Sequence, residues 1–265
     1  MKNFNGLLVC NIELTSRCQK SCWMCGRRKL EKKYPELCDW GDMDFSLVQN
    51  IAGQLPSNII IQFHNNGESL LYPKFGKAIK LFPSQIKCLD TNGKLLLEKA
   101  DEIIDNLDTL TISVIENDLE GDEQYDIVKK FLEIKGNKKP FMVYRLLGKI
   151  ENSSRWYDLP GIVATRILHS PFGSFGYEKK VTIPEHGICL DLLSHLVIDR
   201  KGWCFPCVRF NPSQYNCLGN IMNLSLLELW NSLLRLDLIN EHIQGNRSSS
   251  KLCANCEFYG CPTDY

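Results

Sequence analysis

The chain has 265 residues, with 31 basic and 31 acidic side chains and a formal net charge of +0. No overall basic field draws it to nucleic acid or anionic membrane, and no apolar run approaches the length a bilayer demands. Thirteen cysteines follow an opening, Met1-Lys2-Asn3-Phe4-Asn5-Gly6, that lacks the apolar core of an export signal. In a reducing cytoplasm so many thiols point to metal or cluster ligation rather than disulfides.

Taken in order, Leu7 to Leu14 reads as a buried strand, and Phe45 to Leu55 as a helix with Asp44 as N-cap. Ile59 to Phe63 is a strand, and Phe75 to Phe82 a helix opened by Pro73. Gln85 to Leu89 is a strand ending in Asp90-Thr91-Asn92-Gly93, and Leu95 to Ile104 a helix. Leu110 to Val114 is a strand, Gln124 to Ile134 a helix, Phe141 to Leu146 a strand, and Gly161 to Thr165 a sixth. Alternation of this kind argues for a parallel sheet. Six units are too few to close an eight-stranded barrel, so the expected class is α/β, a partial (β/α)6 TIM-like barrel. Residues 150–186, with Trp156, Tyr157, Phe172, Phe175 and Tyr177 but no clear period, read as a loop-rich bridge over the site.

From His186 the character changes, which divides the chain into a barrel, 1–185, and a small cysteine-rich domain, 186–265. There the turn Asp199-Arg200-Lys201-Gly202 leads into Trp203-Cys204-Phe205-Pro206-Cys207. Ser225 and Glu228 form a capping box opening a helix with Leu229, Trp230, Leu233 and Leu236 at core spacing. Cys253-Ala254-Asn255-Cys256 and Cys261 follow.

The chemistry centres on Cys18, Cys22 and Cys25, on the loop that leaves the first strand. In barrel-like α/β folds active sites gather at that end. Three closely spaced thiolates can hold three irons of a 4Fe–4S cluster and leave the fourth open. Zinc takes four ligands, usually as paired C-x2-C units, and fits a lone triplet poorly.

The C-x3-C-x2-C spacing, with Trp23-Met24 before the last cysteine, resembles the signature of the radical S-adenosylmethionine (SAM) enzymes. Asn66-Gly67-Glu68-Ser69 after the second strand is similar to that family's G-G-E-P segment, with Asn66 and Ser69 as departures; Asn tolerates the left-handed backbone a Gly would supply. The resemblance implies that the open iron chelates SAM and that an electron from the cluster splits it. A 5′-deoxyadenosyl radical then takes a hydrogen atom from substrate. It implies SAM contacts at Met24, Asn66, Gly67, Glu68, Asn92, Ser113 and Arg145, with Glu68 on the amine. Asn92-Gly93 also reads as an ordinary turn, and Arg145 equally as a structural ion pair.

Cys189, Cys207, Cys253 and Cys256, with Gly202 and the Leu218-Gly219-Asn220-Ile221 run, resemble the auxiliary-cluster region of this superfamily, called SPASM with two clusters and twitch with one. The cysteine layout favours the shortened form, as in the small aminocyclitol dehydrogenases. The resemblance implies a second 4Fe–4S cluster, closed by four thiolates and passing electrons or bracing the fold. The competing reading is a zinc ribbon built from Cys204-x2-Cys207 and Cys253-x2-Cys256. The cluster needs Cys189, the ribbon Cys204. Cys261, Cys204 and Cys217 are candidate hydrogen-atom donors to a substrate radical, Arg145 a candidate catalytic group, and His64 a candidate proton carrier. Cys10, Cys38 and Cys88 read as core or incidental thiols.

The expected activity is that of a cytoplasmic radical SAM oxidoreductase or epimerase. Its substrate is a polar small molecule, of sugar or aminocyclitol type, or else a ribosomally made peptide. An external reductant such as flavodoxin or ferredoxin supplies the electron, and neither nucleic acid nor membrane is a partner. The rival from another class is a zinc-stabilised binding module without activity.

Overall fold

A computed structural model of the chain describes residues 3–166, 168, 189–209, 211–254 and 256. Its first part alternates as the sequence predicts: β1 (Val9–Ile12), α1 (Gly26–Lys33), α2 (Phe45–Gln54), β2 (Ile60–Phe63), α3 (Phe75–Ile79), β3 (Ile86–Thr91) and α4 (Ala100–Ile103). There follow β4 (Thr109–Ile115), α5 (Gly121–Lys135), β5 (Phe141–Leu147), α6 (Ser154–Tyr157) and β6 (Ile162–Arg166). The second part holds α7 (Leu190–Ser194), β7 (His195–Ile198), β8 (Trp203–Phe205), β9 (Gly219–Asn220), α8 (Leu226–Trp230), α9 (Leu233–Ile243) and α10 (Lys251–Ala254).

The nine strands among the described residues belong to one sheet, in the order β6-β5-β4-β3-β2-β1-β7-β8-β9. Strands β1 to β6 are mutually parallel, the arrangement that helical crossovers produce. Among the described residues the sheet ends on β6 and β9 and does not close, in keeping with six units. A feature the sequence did not announce is β7, which pairs in parallel with β1, Cys10 beside Leu196. The cysteine-rich segment therefore continues the hydrogen-bonded sheet of the barrel, and β8 and β9 extend it antiparallel.

The helices cover one face of this sheet. Phe63 of β2 meets Phe75 and Phe82 edge-on, with ring centroids 6.3 and 5.6 Å away, and Tyr144 of β5 packs against Trp156 of α6. Ile61, Phe63, Leu89, Leu110, Ile112, Met142, Tyr144 and Leu146 on that face are all buried in one core. Because side chains alternate along a strand, the intervening residues share the opposite face. The registers align Asn11 with Gln62, Gln62 with Cys88, Asp90 with Thr111, and Ser113 with Arg145. That face, away from the helices, is mostly polar.

Local signals explain the helix starts. Asp44 caps α2, its Oδ1 accepting from Ser46 N at 2.9 Å. Ser225 and Glu228 form the expected capping box of α8. The long helix foreseen beyond it is a correction: it breaks at Asn231-Ser232, and Ser232 caps α9 anew. The break turns Leu233 and Leu236 outward, 77% and 44% exposed, whereas Leu226, Leu229, Trp230 and Leu238 are buried. Helices α3 and α4 are shorter than the apolar spacing suggested, because turns take up Lys80 and Leu81 and Lys94 to Lys99. Most of the bridge at 150–186, including Phe172, Phe175 and Tyr177, lies outside the described residues. Among those described, no helix is long and apolar enough to cross a membrane.

Candidate active site

The loop that leaves β1 carries Cys18, Cys22 and Cys25, all half-buried. Hydrogen bonds fold it back on itself and against its neighbours: Cys25 N donates to Cys22 O at 3.1 Å, and Ser16 N to Gly41 O at 2.9 Å. Arg200, in the turn between β7 and β8, donates from Nε to Ser16 Oγ at 3.1 Å. Burial pushes the Cys22 thiol up to about 11; the Lys20 ammonium opposes this, while Cys25 and Cys18 reinforce it. Burial likewise raises Cys18, with Glu68 and Cys25 adding to it. Thiols that perturb one another in this way stand within Coulomb range of one another.

Among the described residues, no three Cys, His, Asp or Glu side chains converge closely enough to chelate a single metal ion. Tetrahedral zinc draws its thiolates to about 3.8 Å from one another, given its short Zn–S bonds. A 4Fe–4S cluster places each thiolate on a different iron and so suits a looser set.

The second loop, Asn65 to Glu68, is locked to the first by Glu13, the residue just past β1. The buried Glu13 carboxylate accepts from Asn65 Nδ2 at 2.7 Å, Asn66 Nδ2 at 2.9 Å and Asn66 N at 3.3 Å. Burial raises its pKa, Asp199 adds to that, and the Asn bonds oppose it. Asn66 is therefore turned toward Glu13. Gly67 lies on the backbone of Thr15 to Arg17, with no room for a side chain. Glu68 N donates to Arg17 O at 2.8 Å.

The Glu68 carboxylate is 2% exposed in the residue as a whole. It accepts from Thr91 Oγ1 at 2.9 Å, Asn92 N at 2.8 Å and Leu70 N at 3.2 Å. A carboxylate offers about four acceptor positions, so one remains for a ligand. Burial raises its pKa against the pull of these donors. Glu68 thus joins the ends of β2 and β3 beside Cys18. Asn92 reaches the same thiol, its Nδ2 3.9 Å from Cys18 Sγ.

The remaining expected SAM contacts are more dispersed. Met24 is half-buried within the cysteine loop, and Ser113 is half-buried on β4. Arg145 is held by an ion pair with the buried Asp90 of β3, the structural alternative that the sequence left open. Asp90 also accepts from Gln62 Nε2 at 2.9 Å. Burial alone would raise the Asp90 pKa, but His64 and Arg145 outweigh it and leave it lowered. Burial lowers that of His64, which keeps the ring neutral near pH 7. Gln62, His64, Asp90 and Arg145 thus form a polar group on the face away from the helices.

Sequence reasoning missed Glu13, Lys20 and Asp90, whereas Thr91 belongs to the Thr91-Asn92-Gly93 segment it singled out. Glu13 was legible as a charge ending a buried strand, and Asp90 as an acidic residue in a turn that is in fact the last part of β3. Lys20 was legible only as a cation between two cysteines.

In the cysteine-rich part, Cys189, Cys207, Cys253 and Cys256 line one small pocket, with Asp191, Asn216 and His242. Each of the first three thiols is raised by burial first, with Cys256 a further cause. Arg209 N donates to Cys207 Sγ at 3.4 Å and Asn216 Nδ2 to Cys253 Sγ at 3.7 Å, contacts that suit sulfur ligands of a cluster. Cys204 is absent from this lining: it is 0% exposed in the core, and its thiol faces Gly202 O at 3.7 Å. The four residues brought together are those of the cluster pattern, with Cys189 in place of the ribbon's Cys204. As a candidate hydrogen-atom donor Cys204 is corrected to a core thiol, since β8 points it into the apolar layer beside Cys10. Cys10 is likewise core, and Cys261 lies outside the described residues.

Comparison with known proteins agrees with this geometry. Residues 189–257 match the SPASM family, an iron–sulfur cluster-binding domain. The S-adenosyl-L-methionine-dependent 2-deoxy-scyllo-inosamine dehydrogenase of Niallia circulans is 22% identical over 261 residues, covering 96% of this chain and 94% of that protein. The crystal structure of BtrN in complex with AdoMet and 2-DOIA aligns with a TM-score of 0.62 at 20% identity, over 98% of this chain and 96% of that one. Streptococcus suis SuiB bound to S-adenosylmethionine aligns with a TM-score of 0.62 at 14% identity, over 95% of this chain and 72% of that one. The chain thus resembles radical SAM enzymes that carry a SPASM-type iron–sulfur domain. The likeness supports 4Fe–4S clusters and SAM as the cofactors.

Proposed function

We propose that this enzyme oxidises a hydroxyl-bearing small molecule of sugar or aminocyclitol type. Cys18, Cys22 and Cys25 hold the SAM-binding cluster in this reading, and Cys189, Cys207, Cys253 and Cys256 an auxiliary one, with the barrel part ending near residue 185. When bound, the first cluster and SAM supply the hydrogen-abstracting chemistry. Glu68, with one acceptor position left, takes the SAM amine, and Asn92 steadies the Cys18 side of the loop.

The observation that carries the substrate class is the polar face at the strand ends, where Gln62, His64, Asp90 and Arg145 lie together. Such a surface recognises hydroxyl and amino groups by hydrogen bonds, which apolar walls do not. The neutral His64 ring can accept a hydroxyl proton, with the Asp90 carboxylate to stabilise the imidazolium. The core position of Cys204 favours oxidation over epimerisation, because it removes one of the three thiols considered as hydrogen donors. An external one-electron protein such as flavodoxin or ferredoxin serves as reductant.

The test is anaerobic reconstitution with iron and sulfide, then SAM, dithionite and 2-deoxy-scyllo-inosamine as probe. Release of 5′-deoxyadenosine with appearance of a ketone supports the reading, and fully loaded protein that releases no 5′-deoxyadenosine overturns it. Modification of a ribosomally made peptide is the second reading, favoured by the likeness to SuiB, which was also crystallised bound to its precursor peptide SuiA. A short peptide encoded beside the gene and retained by the tagged protein would favour it.

A further inference from the structure

Lys20 stands between Cys18 and Cys22, and only 4% of its side chain is exposed. Its ammonium pairs with Asp118, and Glu120 Oε2 lies 3.3 Å away. Both carboxylates belong to the loop after β4, and that loop holds the cysteine loop a second time, Trp23 Nε1 donating to Glu116 O at 2.8 Å. Glu120 is shared with Lys94, so these two outer charges compensate each other and leave Lys20 and Asp118 as the inner pair. Removing an ammonium from water is costly, and a clamp alone could be made with uncharged hydrogen bonds. Both inner charges sit at the cysteine loop itself, Lys20 within it between two cysteines and Asp118 paired to Lys20.

We propose that Lys20 and Asp118 set the reduction potential of the cluster held by this loop from opposite sides, Lys20 raising it and Asp118 lowering it. The proposal rests on the assignment of Cys18, Cys22 and Cys25 as ligands. One-electron reduction adds a negative charge to the cluster. A fixed cation beside it stabilises the reduced form and a fixed anion destabilises it, and nearby net charge is a principal control of such potentials. Lys20 is thus a positioning and tuning residue, not one that touches substrate. The other charges near the cysteines are Glu68 behind Cys18 and Arg27. Arg27 is stacked on Trp40 at 4.1 Å and lies 4.0 Å from Glu31.

The test is a potentiometric titration of the reconstituted holoprotein followed by electron paramagnetic resonance, reading the signal that changes when SAM is added. Lys20→Met keeps the length and loses the charge; its midpoint is expected to fall. Asp118→Asn keeps a hydrogen-bond partner for Lys20 and loses the opposing charge; its midpoint is expected to rise. Lys20→Arg is expected to stay close to the parent. A purely structural clamp moves both neutral variants the same way or not at all, and either result with iron content retained overturns the proposal. If Lys20→Met fails to take up iron, Asp118→Asn decides alone: a rise supports the proposal, and no change or a fall overturns it. A parent protein with no SAM-responsive signal overturns the ligand assignment itself, and so is distinguished from failure of the charge argument.

Discussion

Gly67 rests on the carbonyl of Arg17: a Cβ at residue 67 would stand 2.8 Å from that oxygen and would overlap the Thr15 oxygen outright. The two loops that build the site therefore touch backbone to backbone, one residue before the first cysteine of the triplet. Gly67→Ala must push the cysteine loop away, because backbone cannot yield as a flexible side chain can. Overpacking of this kind costs about 1–3 kcal/mol. The expected outcome is a lower urea midpoint and reconstitution that loads roughly half the iron of a two-cluster protein, about four per chain rather than eight. Iron analysis and urea unfolding check it.

Glu68 offers a second point of attack. Its oxygens receive hydrogens from Thr91, Asn92 and Leu70, so Glu68→Gln turns an amide NH2 toward groups that are themselves donors. Leaving buried donors unmatched costs about 1–3 kcal/mol. SAM affinity is expected to fall by roughly tenfold or more, the equivalent of about 1.4 kcal/mol. Equilibrium dialysis with the reconstituted protein measures this directly; unchanged affinity would show that Glu68 serves only the fold.

Much of this site was legible in sequence because its chemistry is local. The cysteine triplet, the Asn66-Gly67-Glu68 run and the Asp44 and Ser225 caps each lie within a few residues of chain, where spacing decides the outcome. What escaped depends on pairing across the sheet. Nothing near His195 announces that it will align with Val9, and nothing near Arg145 announces the ion pair with Asp90, 55 residues earlier. The α8–α9 break escaped for another reason: apolar spacing from Leu226 to Leu238 is continuous, and only the capping behaviour of Ser232 interrupts it. Cys204 and Cys207 were indistinguishable by spacing; Cys204 lies within β8 and faces the core, whereas Cys207 lies past the end of that strand and lines the cavity.

That separation gives a direct test in the cysteine-rich part. Cys189→Ala is expected to lose about four irons per chain, since Cys189 lines the cavity with Cys207, Cys253 and Cys256. Cys204→Ala is expected to keep its full iron content and to cost roughly 1 kcal/mol through the small hole it leaves in the core. Iron and zinc analysis of both variants checks this. Zinc in the parent protein, lost on replacing Cys204 and kept on replacing Cys189, would reverse the assignment.

Asp90 links stability to pH. Its pKa is lowered from the ordinary 3.8, because His64 and Arg145 together outweigh the burial that would raise it. A carboxylate lowered on folding stabilises the folded chain above its unfolded pKa, and that contribution is lost as the pH falls through the folded value. Asp90→Asn removes it and leaves Arg145 without its charge partner. A fully buried broken pair costs about 3–5 kcal/mol. Arg145 keeps 21% of its side chain exposed, so a smaller loss of about 1–3 kcal/mol is expected here. The urea midpoints of parent and variant should stay apart from neutrality down toward ordinary carboxylate pH, more so once His64 takes up its proton, and should converge only below 3.8. Curves separated equally at every acidic pH would mean that Asp90 acts through packing and hydrogen bonds, and that its charge contributes nothing to the folded state.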